Sequence, residues 1–262
     1  MRGRMEDVMA TRLDAAGSRR GPDRVIVEEP LEIQLDGQLL TVTMRTPGHD
    51  FELAVGFCHG EGLLGGAVVQ QIRYCATGSA VDTNFNTVTV DTGIERPPLR
   101  ARLTTTTAAC GVCGSQTIDE LTARLEPLAV PSALDVAAAA KAAAGARAGQ
   151  ALFEDTGAVH AAAAFDLTTG EVSLLREDIG RHNAVDKVVG RLRLDDGLPP
   201  TELGLFVSGR ASFEMVQKAW AAGFPWLVAV GGVSSLAVAT AKRANVGLAG
   251  FLRDGTCTVY AP

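Results

Sequence analysis

The chain has 262 residues, 47% of them hydrophobic and 21% charged, a balance that suits a soluble globular protein with one large core or two smaller ones. Its net charge of −6 argues against nucleic acid as the main partner, because neutralising phosphates takes a basic field; a local arginine cluster can still meet a phosphorylated ligand. Five cysteines (58, 75, 110, 113 and 257) form no regular disulfide framework, the N-terminus lacks the apolar core of a secretory signal, and no apolar run is long enough to span a bilayer, so a reducing cytoplasm is the expected location.

Residues 1–23 mix Arg, Gly, Asp and Ser with weak periodicity and predict a disordered N-terminus. From Val25 the pattern turns strand-rich. Leu31, Ile33 and Leu35 alternate, Asp36-Gly37 signals a hairpin, and Leu39 to Met44 returns. Pro47-Gly48 breaks the chain before a helix through Phe51, Leu53, Ala54, Phe57 and Cys58 that ends near Gly62. Cys58 reads there as a small core residue. Ile72 to Ala76 and Thr87 to Val90 add strands, so 24–103 reads as a small α+β domain.

Residues 104–116 read as a mobile loop bearing Cys110-Gly-Val-Cys113-Gly. Thr117 and Glu120 have capping-box spacing, and Ile118, Leu121 and Leu125 share a helical face, so both thiols precede a helix N-terminus. A Cys-x-x-Cys pair serves redox chemistry, zinc or sulfur transfer. Zinc needs four ligands, with His160 as a candidate third, and the Thr/Ala run before the pair is unlike the strand that precedes a thioredoxin-type pair. The pair alone does not choose among the three.

The remainder, 117–262, alternates strands and helices. Ser132 is a candidate cap for an Ala-rich helix through Gln150. Val159 to Phe165 and Glu171 to Leu175 form a strand pair, Asn183 is a candidate cap for the next helix, and Leu203 to Val207 is an apolar strand. A helix carrying Phe213, Val216 and Trp220 stops at Gly223. Leu227 to Val230, Ser235 to Arg243, Val246 to Leu252 and Thr256 to Tyr260 complete the alternation, which predicts a sheet with parallel strands and helices on its faces. Three strand-to-helix turns are unusually polar: Glu177-Asp178-Ile179-Gly180-Arg181-His182-Asn183, with Asp186 and Lys187 one turn later; Ser208-Gly209-Arg210-Ala211-Ser212; and Gly231 to Ser235. At the carboxyl ends of strands, such turns offer helix N–H groups, glycine and arginine to an anionic, phosphate-bearing ligand. Asp178 and Asp186 can read a nucleobase edge such as guanine, or pair with Arg181 or Lys187. His160 and His182 can donate protons, contact a ligand or sit satisfied in the core.

The motifs around Cys110 and Cys113, the block Glu177-Asp-Ile-Gly-Arg-His-Asn-Ala-Val-Asp-Lys187, Ser208-Gly-Arg-Ala-Ser-Phe-Glu-Met-Val216 and Gly250-Phe-Leu-Arg253 occur in this order and resemble the formate dehydrogenase accessory sulfurtransferases of the FdhD family. Glu29-Pro30-Leu31, Thr46-Pro47, Gly56-Phe57 and Glu61-Gly62 resemble its N-terminal half. The chain departs from the usual family pattern at Thr156-Gly-Ala-Val-His160 and at Gly231 to Ser235.

The resemblance implies an α/β, cytidine-deaminase-like three-layer fold beside the smaller α+β unit, and a homodimer. It implies relay of persulfide sulfur from a cysteine desulfurase to the bis-guanine-dinucleotide molybdenum cofactor of formate dehydrogenase, of which guanosine diphosphate is a fragment. Cys110 would carry the sulfur with help from Cys113. The cofactor would meet Phe251, Leu252, Arg253, Asp254, Gly255 and Thr256 together with the three turns. Two alternatives stay open: a chaperone for the same cofactor that transfers no sulfur, and a zinc-dependent nucleoside deaminase, although the zinc signature of deaminases is missing from the sequence.

Overall fold

The computed structural model describes residues 3–75, 79–95 and 122–262. Among them the fold is mixed α/β, the class read from the sequence. Strands β1 (Met5–Asp14) and β2 (Gly17–Ile26) form an antiparallel ribbon. Strands β3 (Glu29–Leu35), β4 (Gln38–Arg45), β5 (Gln71–Tyr74) and β6 (Thr87–Asp91) make a four-stranded sheet in the order β4-β3-β6-β5, covered by helix α1 (Asp50–Gly60). The third sheet has six strands: β7 (His160–Asp166), β8 (Val172–Asp178), β9 (Leu203–Val207), β10 (Trp226–Ala229), β11 (Gly247–Arg253) and β12 (Thr256–Ala261), in the order β12-β11-β10-β9-β7-β8. Its helices are α2 (Val136–Gly149), α3 (Ala151–Thr156), α4 (Arg181–Leu194), α5 (Phe213–Ala222) and α6 (Ser235–Ala244). No helix among the described residues is long and apolar enough to cross a membrane.

The apolar pattern explains the layers. Leu31, Ile33 and Leu35 alternate inward on β3 and meet Leu53, Ala54 and Cys58 of α1, so Cys58 is the core residue expected of it. The six-stranded sheet is buried on both faces, which gives its strands continuous apolar runs. One face packs Leu205, Leu227 and Leu248 under α4, α5 and α6, with Val185, Val188, Met215 and Trp220. The other packs Phe165, Phe206, Trp226 and Val228 under the alanines of α2.

Several sequence expectations change. Residues 5–26 are paired strands rather than a disordered tail. Arg12 meets Asp23 at 3.0 Å and Arg24 meets Asp7 at 3.4 Å across the ribbon. Charged side chains of both signs at eight of its twenty positions hid the alternation that signals a strand. Asp135, not Ser132, caps α2, its carboxylate accepting the N–H groups of Ala137 and Ala138; Ser132 instead offers its carbonyl to Trp226 Nε1. Gly180 occupies the cap position of α4, and Asn183 lies inside the helix. Within the described six-stranded sheet β9, β10 and β11 run parallel, while β7, which opens the β7–β8 hairpin, and β12 flank them antiparallel. The helix expected from Thr117 lies outside the described residues up to position 121.

The two larger sheets meet through α1 and α4. At their crossing an added Cβ on Gly56 would stand 1.9 Å from the Asp186 carbonyl oxygen, and one on Gly190 would stand 1.8 Å from the Glu52 carbonyl oxygen. Backbone therefore touches backbone, and only glycine fits at either position. Beside the crossing, Arg176 of β8 clamps Glu52 of α1 through Nε at 2.5 Å and Nη2 at 2.8 Å. Burial pushes the Glu52 carboxyl up, but hydrogen bonds from Arg176 and His49 overcome that push and hold it down at about 2.

Two outcomes follow for stability. Gly56→Ala should lower the free energy of unfolding in urea by about 3 kcal/mol, because neither backbone can retreat from the added methyl. Because Glu52 ionises more readily folded than unfolded, its contribution is complete above the unfolded value of about 4.3 and is lost as pH falls toward its folded value. Acid titration followed by circular dichroism should show Glu52→Gln flattening that part of the stability curve.

Candidate functional site

One edge of the six-stranded sheet collects most of the residues singled out by the sequence. The carboxyl ends of β8, β9, β10 and β11 and the start of β7 all lie there. The turns are tied together by backbone. Gly231 N–H donates to the Gly209 carbonyl at 2.9 Å, Phe251 N–H to the Gly231 carbonyl at 3.0 Å, and Ala211 N–H to the Gly232 carbonyl at 3.1 Å. A Cβ on Gly231 would lie 2.8 Å from the Gly209 oxygen, so the turns touch as backbone alone. Ser208 Oγ accepts the Ala161 N–H at 2.9 Å and fixes the second turn to β7.

The block Glu177–Lys187 divides into hidden and presented groups. Asp178 and Lys187 are fully buried and pair at 2.6 Å. Burial pulls the Lys187 ammonium below its ordinary value, with Asp178 opposing. Asp178 also accepts the Thr46 and Gly180 N–H groups, and Ile179 N–H donates to Thr46 Oγ1 at 3.1 Å. Asn183 Nδ2 donates to the Met44 carbonyl at 2.7 Å and to Asp178 Oδ1 at 3.0 Å. Asp186 is buried against Lys218 Nζ at 2.7 Å. The polar atoms of Asp178, Asn183, Asp186 and Lys187 are thus engaged inside the protein, where Asp178, Asn183 and Lys187 brace the turn against the loop after β4.

What the edge does present is basic. Arg181 and His182 open α4, Arg210 is exposed in the second turn, and His160 starts β7 against Gly209, whose added Cβ would lie 3.3 Å from His160 Nδ1. Burial, then Arg181, His182 and Arg210 in that order, push His160 below its ordinary value. His182 Nδ1 lies 2.8 Å from Glu214 Oε2. Neither α4 nor α5 has a side-chain cap at its first turn, although Ser212 occupies the cap position of α5. Two buried polar atoms here, His182 Nε2 and Ser212 Oγ, have no hydrogen-bond partner among the described residues.

Phe251 is exposed, holds φ at +54°, and stacks close enough to Gly232 that a Cβ there would meet its ring at 2.9 Å. Arg253, Asp254, Gly255 and Thr256 form the exposed turn that follows, with Thr256 Oγ1 donating to the Arg253 carbonyl at 2.9 Å, while Leu252 is buried in the core. Leu252 is therefore a packing residue. A cavity of about 580 Å³ opens beside His160 and Ser208 on the α2 side; Arg147, stacked on Phe153, and Gln150 join Phe206 and Val230 in its lining. The departure at Ala158 is accommodated there: Gly157 supplies the left-handed residue that ends α3, and Ala158 is exposed. Cys110 and Cys113 lie outside the described residues.

The opposite edge holds a second cavity, about 620 Å³, between the carboxyl ends of α1 and α5, with His59, Glu61, Arg124 and Arg193 around a floor that includes Trp220. The segment after Thr122 is fastened at this edge, Trp220 Nε1 donating to the Glu126 carbonyl and Leu128 N–H to the Ala244 carbonyl, both at 2.8 Å. Sequence reasoning passed over two residues that shape the first edge. Glu214 stands inside a quoted motif, and its signal was an acid in the first turn of a helix that follows Arg210. Thr46, in Thr46-Pro47, carried no local signal, since its partners are more than 130 residues away.

Comparison with known proteins places these features in context. The family model described as FdhD/NarQ matches residues 26–262. A protein of Nocardia farcinica named sulfur carrier protein FdhD is 48% identical, the match covering 95% of this chain and 90% of the relative. Proteins of the same name from Streptomyces avermitilis and Mycobacterium tuberculosis are 47% and 41% identical over 95% and 91% of this chain and 90% of each relative. In three dimensions the chain is similar to a crystal structure from Desulfotalea psychrophila, described as a formate dehydrogenase accessory protein. The TM-score is 0.77 at 23% identity, covering 99% of this chain and 98% of that one, and the likeness is one of fold.

The buried pair gives a test of its bracing role. Asp178→Asn should cost about 3 kcal/mol or more in urea unfolding because it leaves Lys187 buried without its counter-charge. Adding Lys187→Met should return part of that loss. A wild-type unfolding midpoint in Asp178→Asn alone would show that the pair does not brace the turn.

Proposed function

Since the chain belongs to the FdhD/NarQ family, we propose that it is a sulfur carrier in formate dehydrogenase maturation, taking persulfide sulfur from a cysteine desulfurase and delivering it to the bis-guanine-dinucleotide molybdenum cofactor as substrate. The observation that carries the acceptor half is the basic edge: Arg181, Arg210, His182 and His160 gathered at two helix N-termini that no side chain caps. Helix N–H groups and arginines together suit phosphate groups. The cavity beside His160 is within the usual size range for a small ligand, and its apolar walls with Arg147 and Gln150 suit a flat base.

The donor half rests on the Cys-x-x-Cys of the sequence. The Cys110 thiolate attacks the outer sulfur of the donor persulfide. The new bond is Cys110 Sγ–S, the bond broken is the donor's own S–S bond, and the donor leaves as a thiolate. The chain rejoins the described fold at Thr122, at the edge away from the basic turns. The nine or so residues from Cys113 to Thr122 span at most about 30 Å when extended. Helix α5, which runs from one edge to the other, is about 15 Å long.

The test has two arms. After incubation with a cysteine desulfurase and cysteine, intact mass should rise by one sulfur in the wild type and stay unchanged in folded Cys110→Ala, which should also fail to restore formate dehydrogenase activity. Guanosine diphosphate should bind the wild type in calorimetry, and Arg210→Ala should weaken it roughly ten- to a hundredfold through loss of a charged hydrogen bond. Normal sulfur loading in Cys110→Ala ends the donor assignment, and no binding of guanosine diphosphate ends the acceptor one.

A further inference from the structure

The corner where α4 and α5 begin contains a pairing that the sulfur-relay reading does not use. Glu214, in the first turn of α5, approaches Nδ1 of His182, the second residue of α4, at 2.8 Å. A carboxylate at that distance keeps a proton on Nδ1 whether the ring is neutral or charged. Nε2 is then the atom whose state changes. It is buried and without a hydrogen-bond partner among the described residues, as is Ser212 Oγ two residues before Glu214. A buried polar atom left unpaired forfeits the hydrogen bond it would make with water, so both atoms gain from a ligand that reaches this corner.

We propose that Glu214 is a positioning residue that makes anion binding at this edge proton-linked, by holding His182 so that Nε2 takes up a proton when a phosphate group arrives. The inference rests on the nucleotide reading of the site and adds to it the protonation state in which the ligand is held. With Nδ1 donating to Glu214, a neutral His182 points a bare lone pair at an incoming phosphate oxygen, and the two repel. Proton uptake at Nε2 turns that repulsion into a charge-assisted hydrogen bond and places the imidazolium between two anions.

The charges around the ring fit this behaviour. Arg181 beside it, Arg210 of the second turn and His160 of β7 gather at the same edge. On its own helix Asp186 is held by Lys218 of α5. Ser212 Oγ, released from capping its own helix, adds a neutral donor at the same corner.

Calorimetric titration of the full chain with guanosine diphosphate tests this at pH 7.5, where a terminal phosphate with a value of about 6 is already ionised and takes no part. Repeating it in buffers of different ionisation enthalpy gives the protons exchanged as a slope. The wild type should take up a sizeable fraction of one proton per site. Glu214→Gln should bind about tenfold more weakly with a slope well below wild type, since the neutral amide still accepts from Nδ1 but does not favour the ring's charge. Nitrogen chemical shifts of His182 in the unliganded wild type, which need no variant, should show the proton on Nδ1. Binding by the wild type without proton exchange, a Glu214→Gln slope equal to wild type, or a proton on Nε2 in the unliganded protein would each overturn the proposal and leave the nucleotide reading standing. No binding by the wild type would overturn both.

Discussion

The contact between α1 and α4 sets the position of nearly everything else. Gly56 and Gly190 let two helix backbones meet where any Cβ would collide. That closeness lets Glu52 reach Arg176 and brings the strand-to-helix loop after β4 onto the turn that opens α4. Interiors packed at crystal-like density transmit small displacements instead of absorbing them. A shift at the crossing therefore moves Thr43, Met44 and Thr46 together, and with them the backbone of Asp178 to Gly180.

This frame accounts for the unusual density of polar residues in one eleven-residue block. Asp178, Asn183 and Lys187 use their hydrogen-bonding capacity inward, on Thr46, Met44 and each other. Arg181 and His182 stand between them in sequence yet on the basic edge. Within one helical turn the chain alternates residues that hold the backbone with residues that face a ligand, which the 3.6-residue period permits. Arg45, buried with Asp50, Glu29 and Asn86 around it, continues the same inward-facing scheme into the smaller sheet.

Much of this was legible in the sequence because the signals are local. The Asp36-Gly37 hairpin, the apolar runs of β9 and β10, and Gly223 as the stop of α5 follow from short-range pattern and appear where expected. The polar turns were legible for the same reason, since glycine, serine and arginine after an apolar strand have few other uses. The division of labour inside the Glu177–Lys187 block was not legible. Whether Asp178 meets a base or Lys187 depends on the distant Thr46, and no periodicity encodes a contact across more than 130 residues. The β1–β2 ribbon escaped for the opposite reason: it buries so little that its sequence carries no apolar alternation to read.

That ribbon has a consequence for how copies of the protein behave beside one another. Ten residue pairs run its length, about 33 Å, with few neighbours to cover its outer edges. A bare strand edge is a template for any other extended chain, and a flat apolar one would recruit copies of itself. Here Arg12, Arg19, Arg20 and Asp14 crowd the far half, and Pro22 withholds one N–H from β2. The same charges that concealed the ribbon from sequence reading thus guard it against fibrous self-association.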